Sequence, residues 1–394
     1  MRTLLHNAML DDKAVDITID NGLIVNIQPL SALSNHNSQF IDASGLTLFP
    51  GLCNMHSHAP MTLFRGLGDD QPLDVWLNKY IWPAEQRLTD ESVYQGTLQA
   101  CNEMLASGTT YFNDMYFRLP AMARAVNETG IRARLGFNVF GDGDDLECVN
   151  ELLCNCVSVG ASTTNTLTQS HNNKISFSIA PHAIYTVSAL GLKRCAQACK
   201  DLGVPMHIHM SETEKEVNDC LREHGCRPWE YLDKLGILDL LGDQIIAAHC
   251  LHLSQNEIKL IGDHHITCVH CPNSNLKLGS GYRFQMLELL DAGARVALGT
   301  DGSASSNNLD MIEVMKTATL LQKGWRHDPT AAPATLILSL ATLGHTIAPG
   351  QPADFFLAKV KSLSDLIYAS HGDCVEMTFV DGRLVYQKSD RVVK

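Results

Sequence analysis

Apolar and polar positions follow two different rhythms in this chain. Between residues 47 and 301, apolar runs of strand length recur, and several are followed by stretches whose apolar positions repeat at helical spacing. The strand-like runs are 47–58, 108–114, 132–140, 175–182, 204–210, 244–250, 266–272 and 295–301, and each carries a polar residue among its last three. Helix signals lie between them: Thr89 as an N-cap with Gly108 as the stop, then 189–202, 214–223, 284–292 and 308–322. Strands alternating with helices imply parallel βα units. Eight of them predict an α/β fold, a (β/α)8 TIM-like barrel with its chemistry at the C-terminal strand ends.

The two chain ends read differently. Residues 14–27 alternate apolar and polar around Asn21-Gly22, and 375–386 do so around Asp381-Gly382, both signatures of hairpins. They predict a small flanking β-sandwich domain built from 1–49 and 350–394, with the barrel over 50–349. The Ser-, Thr- and Asn-rich stretch 155–173 reads as a surface loop.

Composition narrows the function. The chain has 394 residues, 45% of them hydrophobic, enough for a large core. Lys+Arg 30 against Asp+Glu 43 leaves a net charge of −13 with no basic cluster, which argues against nucleic acid or an anionic membrane as partner. No apolar run reaches the roughly 18 residues of a spanning helix, and no signal-peptide pattern opens the chain. The thirteen cysteines are spread along a long chain and read as reduced thiols, including the Cys268-x-x-Cys271 pair. A cytoplasmic protein with a small-molecule task is the expectation. Nucleotide-driven and hydride-transfer chemistry find no fingerprint, and neither does a serine nucleophile elbow.

Chemistry-bearing residues gather at the strand ends. His56 and His58, two apart, share one face of the first strand and can offer imidazoles to one metal. Alone, such a pair fits a buried structural pair equally well. The recurrence changes the balance: His182 closes the fourth run, His207 and His209 lie on the fifth with Glu212 just beyond, His249 closes the sixth and Asp301 the eighth. Packing does not require so many strands to end in titratable groups, and a shared pocket explains them together.

Those residues sit in long ordered motifs: PGLCNMHSHAPMTLFRGLGDDQPLDVWL (50–77), WPAE (82–85), SIAPHAIYTVS (178–188), HIHMSETEKEV (207–217), AAHC (247–250), CPNSNLKLGSG (271–281) and LGTDGSASSNNLDM (298–311). With them the chain resembles the amidohydrolase superfamily over nearly its whole length, and within it the 5-methylthioadenosine/S-adenosylhomocysteine deaminases, relatives of the triazine hydrolases. The resemblance implies one divalent metal on His56, His58, His209 and Asp301. Zinc is the leading ion, and Fe2+ or Mn2+ suit the same donors. It places the ligand of the fifth strand three residues before Glu212, so His209 rather than His207 takes that role. A second metal is not implied, because the fourth run ends Ala180-Pro181-His182 where two-metal relatives supply a lysine.

Catalytic roles carried over in the same way fall on Glu212 as proton shuttle to the ring nitrogen, Asp301 as acceptor of the water proton and His249 as the group orienting the water. Substrate contacts fall on Glu85, His182, Glu212 and Asp301. Two carboxylate oxygens on Glu85 suit a vicinal ribose diol, the mark of a nucleoside. Trp82 and Phe64 are candidates for the apolar wall of the pocket. For a homocysteine carboxylate, Arg118, Arg132 and Arg134 are candidate clamps. The implied activity is hydrolytic deamination of 5-methylthioadenosine, S-adenosylhomocysteine or adenosine to the inosyl product and ammonia, by a homo-oligomer. Two alternatives stay open. One is a deaminase or hydrolase of another amino-heterocycle (guanine, pterin, cytosine or aminotriazine), and the other a non-catalytic assembly subunit, which the intact residue set disfavours.

Overall fold

The computed structural model describes residues 2–30, 39–149 and 174–388, and in it the two rhythms become two separate eight-stranded sheets. The expected loop over 155–173 lies outside the described residues. Strands β1 (Thr3–Leu10), β2 (Lys13–Asp20), β3 (Leu23–Pro29), β4 (Gln39–Asp42) and β5 (Thr47–Pro50) come first. The barrel strands follow: β6 (Leu52–Ser57), β7 (Thr109–Tyr116), β8 (Arg132–Val139), β9 (Ile175–Pro181), β10 (Met206–Met210), β11 (Ile245–His249), β12 (Thr267–His270) and β13 (Arg295–Leu298), all parallel and paired in chain order. Finally β14 (Phe355–Ala358), β15 (Val375–Val380) and β16 (Arg383–Gln387) rejoin the first sheet, in the order β16-β15-β14-β5-β1-β2-β3 with β4 beside β1.

Two strand readings are corrected. The run 47–58 is not one strand but two, β5 in the flanking sheet and β6 in the barrel. Gly51 is the joint: its N–H donates to Asp354 O at 3.0 Å, and a Cβ there would lie 2.1 Å from Thr110 Oγ1. Both halves are buried, so hydrophobicity runs unbroken across the change of sheet. The run 295–301 stops at Leu298, and Asp301 sits in the following loop with φ 64°. A buried loop beside a site keeps the apolar composition of the strand it leaves.

The barrel closes between β6 and β13 through side chains as much as backbone. Asp301 N–H donates to His56 O at 2.9 Å, Thr300 N–H to Asn54 Oδ1 at 3.0 Å, and Asn54 Nδ2 to Thr300 Oγ1 at 2.7 Å. The strands approach so closely at Gly299 that a Cβ would lie 2.8 Å from His56 N. That seam is what brings His56 against Asp301. Below the mouth the interior is plugged by Cys53, Met55, Tyr111, Ile246, Val269, Cys271 and Ala297. Cys268 packs instead in the outer core, so the Cys-x-x-Cys pair divides between two cores.

Caps place the helices as their chemistry dictates. Thr89 and Ser92 form a capping box on Asp90–Ala106, Ser188 caps Ala189–Leu202, and Thr213 caps Glu214–His224. Helix 308–322 begins later than expected, at Met311, because Asp310 is the cap. Helix Leu119–Thr129 was not foreseen, since its N-cap is Arg118 in a left-handed conformation without a capping side chain. Helix Gln255–Asp263 carries a Ser254–Glu257 capping box that the sequence displays. Both hairpins form, with positive φ at Asn21, Gly22, Asp381 and Gly382 as type I′ turns require. The two turns also meet: a Cβ on Gly22 would lie 2.4 Å from Asp381 Oδ1. The flanking sheet has its own core, including Leu5, Ile17, Ile19, Ile24, Phe355 and Phe379. Among the described residues no helix is long and apolar enough to cross a membrane.

Candidate active site

Strand geometry delivers the imidazoles to one point. His56 ends the inward face of β6, His58 follows it, His209 comes from β10 and His249 from the end of β11. Asp301 Oδ1 lies 3.4 Å from His56 Nε2 and 3.3 Å from His58 Nε2, while His58 and His209 face each other Nε2 to Nε2 at 3.3 Å. His56, His58 and His209 form one group with ligand atoms within 4.8 Å of one another, and His56, His249 and Asp301 form another.

The opposite ring nitrogens explain the aim. His58 Nδ1 bonds Met115 O at 2.7 Å, and His209 Nδ1 bonds His182 O at 2.7 Å. A carbonyl can only accept, so in both rings Nδ1 donates and Nε2 is the nitrogen turned into the cluster. His56 Nδ1 pairs with His207 Nε2 at 2.9 Å, and His207 Nδ1 with Asn113 Nδ2 at 3.2 Å. His207 therefore stands behind His56 and orients it. His56 Nε2, although buried, makes no hydrogen bond of good geometry among the described residues.

This donor set fits a divalent cation. Two lone pairs facing each other at 3.3 Å repel unless a proton or cation lies between them. Burial pushes His56 down to about 4 and His209 well below the usual imidazole range, so both are neutral, as ligation requires. Burial also disfavours a charged His58, but the Asp301 hydrogen bond and charge outweigh it and lift that group to about 9, so a proton takes the place on Nε2 from which a divalent cation would displace it. For Asp301, burial works upward, yet His56 and His58 hold it well below the carboxylate range. The carboxylate is fixed from behind by Ser274 Oγ on Oδ2 (2.6 Å) and Gly302 N–H on Oδ1 (2.7 Å).

Glu212 lies beside the cluster. Its Oε1 accepts from Ser280 Oγ at 3.1 Å, and its Oε2 is 3.8 Å from His249 Nε2. Burial raises its pKa, keeping a proton available at higher pH than an exposed carboxyl would. Asn275 Nδ2 holds His249 Nδ1 at 2.9 Å, turning the other nitrogen toward Glu212. The Glu216 carboxylate accepts both Ser211 N–H and Glu212 N–H at 2.8 Å, pinning the turn that presents Glu212. Ser211, His249 and Asp301 all have positive φ, a backbone strain that clusters at functional sites.

His58, His209, His249, Asp301, Glu212, Glu85 and His182 line one cavity at the barrel mouth, and His56 lies beneath them. His182 stacks on Phe140 with centroids 5.0 Å apart, and its Nδ1 bonds Thr186 Oγ1 at 2.9 Å. Burial and the neighbouring imidazoles bring it down to about 3, so it is neutral. Across the cavity, burial raises the Glu85 carboxyl and Tyr116 faces it. Beyond Glu85 an outer cavity of about 720 Å³ opens, walled by Trp82, Leu88, Phe117, Phe140 and Thr186, with Gln86 and Arg118 at its edge.

Trp82 lines both cavities, whereas Phe64 is not among their walls and packs on the barrel core. Of the three arginines singled out, Arg132 pairs with Asp354 (2.9 Å) and Asp381 (3.4 Å) at the start of β8, far along the strand from the mouth. Arg134 is buried two residues later on the same strand. Of the three, Arg118 borders the outer cavity. Sequence reasoning missed the groups that hold the site: Ser274, Asn275, Ser280 and Glu216. Three of these sit in CPNSNLKLGSG, which was read only as part of the resemblance.

Comparison with known proteins identifies the family and the fold. The amidohydrolase family matches residues 47–385. A 5'-deoxyadenosine deaminase of Methanothermobacter thermautotrophicus is 40% identical over 371 residues, covering 89% of this chain and 84% of that protein. A 5-methylthioadenosine/S-adenosylhomocysteine deaminase of Desulforudis audaxviator is 37% identical, covering 98% and 93%. The crystal structure of an adenosine deaminase from Xanthomonas campestris with bound zinc superposes with a TM-score of 0.83 at 32% identity, over 97% of this chain and 92% of that one. The chain is a hydrolytic deaminase and belongs to the amidohydrolase family.

Proposed function

We propose that this protein deaminates adenine nucleosides, with 5-methylthioadenosine, S-adenosylhomocysteine and adenosine as the candidate substrates, releasing ammonia and leaving the inosyl product. One observation carries the reading: Glu85 lies across a single cavity from the His58–His209–Asp301 cluster, with Glu212 and His249 beside it. A diol-binding carboxylate and a hydrolytic centre at two sides of one cavity suit a sugar-bearing ring. The deaminase names of the relatives, and the 5'-deoxyadenosine and 5-methylthioadenosine in them, support it.

His56, His58, His209 and Asp301 would hold one divalent ion, and the zinc of the Xanthomonas campestris neighbour favours zinc. Such an ion supplies the lowered proton affinity of water that hydrolysis near neutral pH needs. This chain's residues do the rest. Glu212 donates its proton to the ring nitrogen beside the amino-bearing carbon, making that carbon electrophilic. Asp301 takes one proton from the attacking water and passes it to the departing amine, and the proton left on the new hydroxyl returns to Glu212 as the carbonyl forms, so that water is consumed, ammonia leaves and both carboxyl groups are restored. His249 Nε2 donates toward the new carbon–oxygen bond and supports its negative charge. The neutral His182 ring contacts the purine, and Glu85 accepts from the two ribose hydroxyls.

The test is ammonia release by the metal-loaded protein with adenosine, 5-methylthioadenosine, S-adenosylhomocysteine, guanine, cytosine, pterins and aminotriazines. Adenine nucleosides are expected to lead. A free base or an aminotriazine turned over faster than every nucleoside would overturn the reading.

A further inference from the structure

The outer cavity begins at Glu85 and runs away from the metal cluster. If Glu85 holds the 2′ and 3′ hydroxyls while the purine lies against His182 and Glu212, the 5′ carbon faces this outer cavity. What the cavity offers there is mostly hydrocarbon and aromatic: Trp82, Leu88, Phe117 and Phe140. Its acidic group is Glu85, whose carboxylate repels a second carboxylate. Arg118 is the one lysine or arginine among the described residues lining either cavity. Its guanidinium is already engaged: Nη1 with Asp90 Oδ1 at 2.5 Å and Nη2 with Leu88 O at 2.9 Å. Residues 150–173, outside the described set, contain no lysine or arginine.

We infer that the outer cavity is a subsite for an uncharged, largely apolar 5′ substituent, and that the enzyme selects against the amino-acid tail of S-adenosylhomocysteine. The inference rests on the nucleoside reading above and narrows it. A zwitterion placed here gives up water around a carboxylate and finds no free lysine or arginine among the described residues in return, while an alkylthio or methyl group loses nothing and covers the aromatic wall. Gln86, exposed at the cavity edge with its side chain making no hydrogen bond among the described residues, marks where a cation would have to stand to reverse the choice.

The experiment compares kcat/KM of the metal-loaded enzyme for S-adenosylhomocysteine and for 5′-butylthio-5′-deoxyadenosine, which has a similar chain length and no charge. 5'-Deoxyadenosine and 5-methylthioadenosine serve as shorter neutral references. The neutral butylthio compound is expected to be favoured by about 10-fold or more. A ratio nearer to 1 than to 10, or a preference for S-adenosylhomocysteine, overturns the inference while leaving the nucleoside reading intact. Gln86→Lys should then raise kcat/KM for S-adenosylhomocysteine several-fold relative to the butylthio compound. An unchanged ratio in that variant means the 5′ tail does not enter this cavity, and the assignment falls. If none of the four nucleosides is turned over but another amino-heterocycle is, the nucleoside reading and this subsite fall together.

Discussion

The two ends of the barrel treat buried charge in opposite ways. At the N-terminal end, Arg132 is buried at the start of β8 and satisfied by two carboxylates, Asp354 and Asp381, which tie the barrel to the flanking sheet. At the mouth, five titratable groups, His56, His58, His209, His249 and Asp301, converge on one point, with His58 and His209 facing each other nitrogen to nitrogen at 3.3 Å. The imidazoles are anchored from their far sides by Met115 O, His182 O, His207 and Asn275, and Asp301 by Ser274 and Gly302. A buried charge with its partners in place is costly to unpair, whereas nitrogens and oxygens converging on one point make a chelating set. The difference separates the two functions of polar residues within one barrel.

His209→Ala is the largest break: it should abolish metal binding and activity together, checked by elemental analysis and ammonia release, with a chelator reproducing the loss in the native protein. The native protein should carry one divalent ion per chain, and two ions that are both needed for activity would contradict the site drawn here. Glu212→Gln should keep the metal and lower kcat by ~10²–10⁴, because an amide cannot shuttle a proton. Arg132→Ala addresses the other end. Leaving Asp354 and Asp381 without their partner should cost about 3–5 kcal/mol of stability, read in denaturant unfolding, with kcat/KM per folded molecule little changed.

Glu85→Ala should reduce kcat/KM for adenine nucleosides by about 10- to 150-fold, the value of a hydrogen bond to a charged group, without changing metal content. A 2′,3′-dideoxy analogue should be poor for the native enzyme and little affected by the substitution, so the two changes together isolate the contact. The smallest effect is on pH dependence. Burial raises the Glu85 carboxyl, so as pH falls it protonates earlier than an exposed carboxyl and loses acceptor capacity for the diol. The kcat/KM ratio of a nucleoside to its dideoxy analogue should therefore fall on the acid side, at a pH above the ordinary carboxylate range. A ratio flat with pH would remove Glu85 from the ribose contact.

Much of this was legible in the chain. Polar residues ending successive apolar runs marked the barrel and its mouth, and the positions His56, His58, His182, His209, Glu212, His249 and Asp301 fall at one cavity or directly beneath it. What the sequence hid has physical reasons. The change of sheet at Gly51 leaves no mark in hydrophobicity because both sides are buried. The distinction between His207 and His209, which share a strand face by spacing, came from the resemblance; the geometry behind it depends on Asn113, a residue 94 positions away. The clamp of Glu216 on the Glu212 turn looks in sequence like an ordinary helix glutamate. Two of the three arginines are engaged by carboxylates remote in sequence, 222 positions away for Arg132 and 28 for Arg118.

Product analysis decides the proposal that this mouth hydrolyses the amino group of an adenine nucleoside. With 5-methylthioadenosine and the metal-loaded enzyme, ammonia should appear in equal amount to an inosyl product whose sugar and 5′ group are intact, and Glu212→Gln with its metal retained should form almost none. Metal-loaded native enzyme that releases no ammonia from any adenine nucleoside, or a Glu212→Gln variant that retains near-full turnover, would contradict the account.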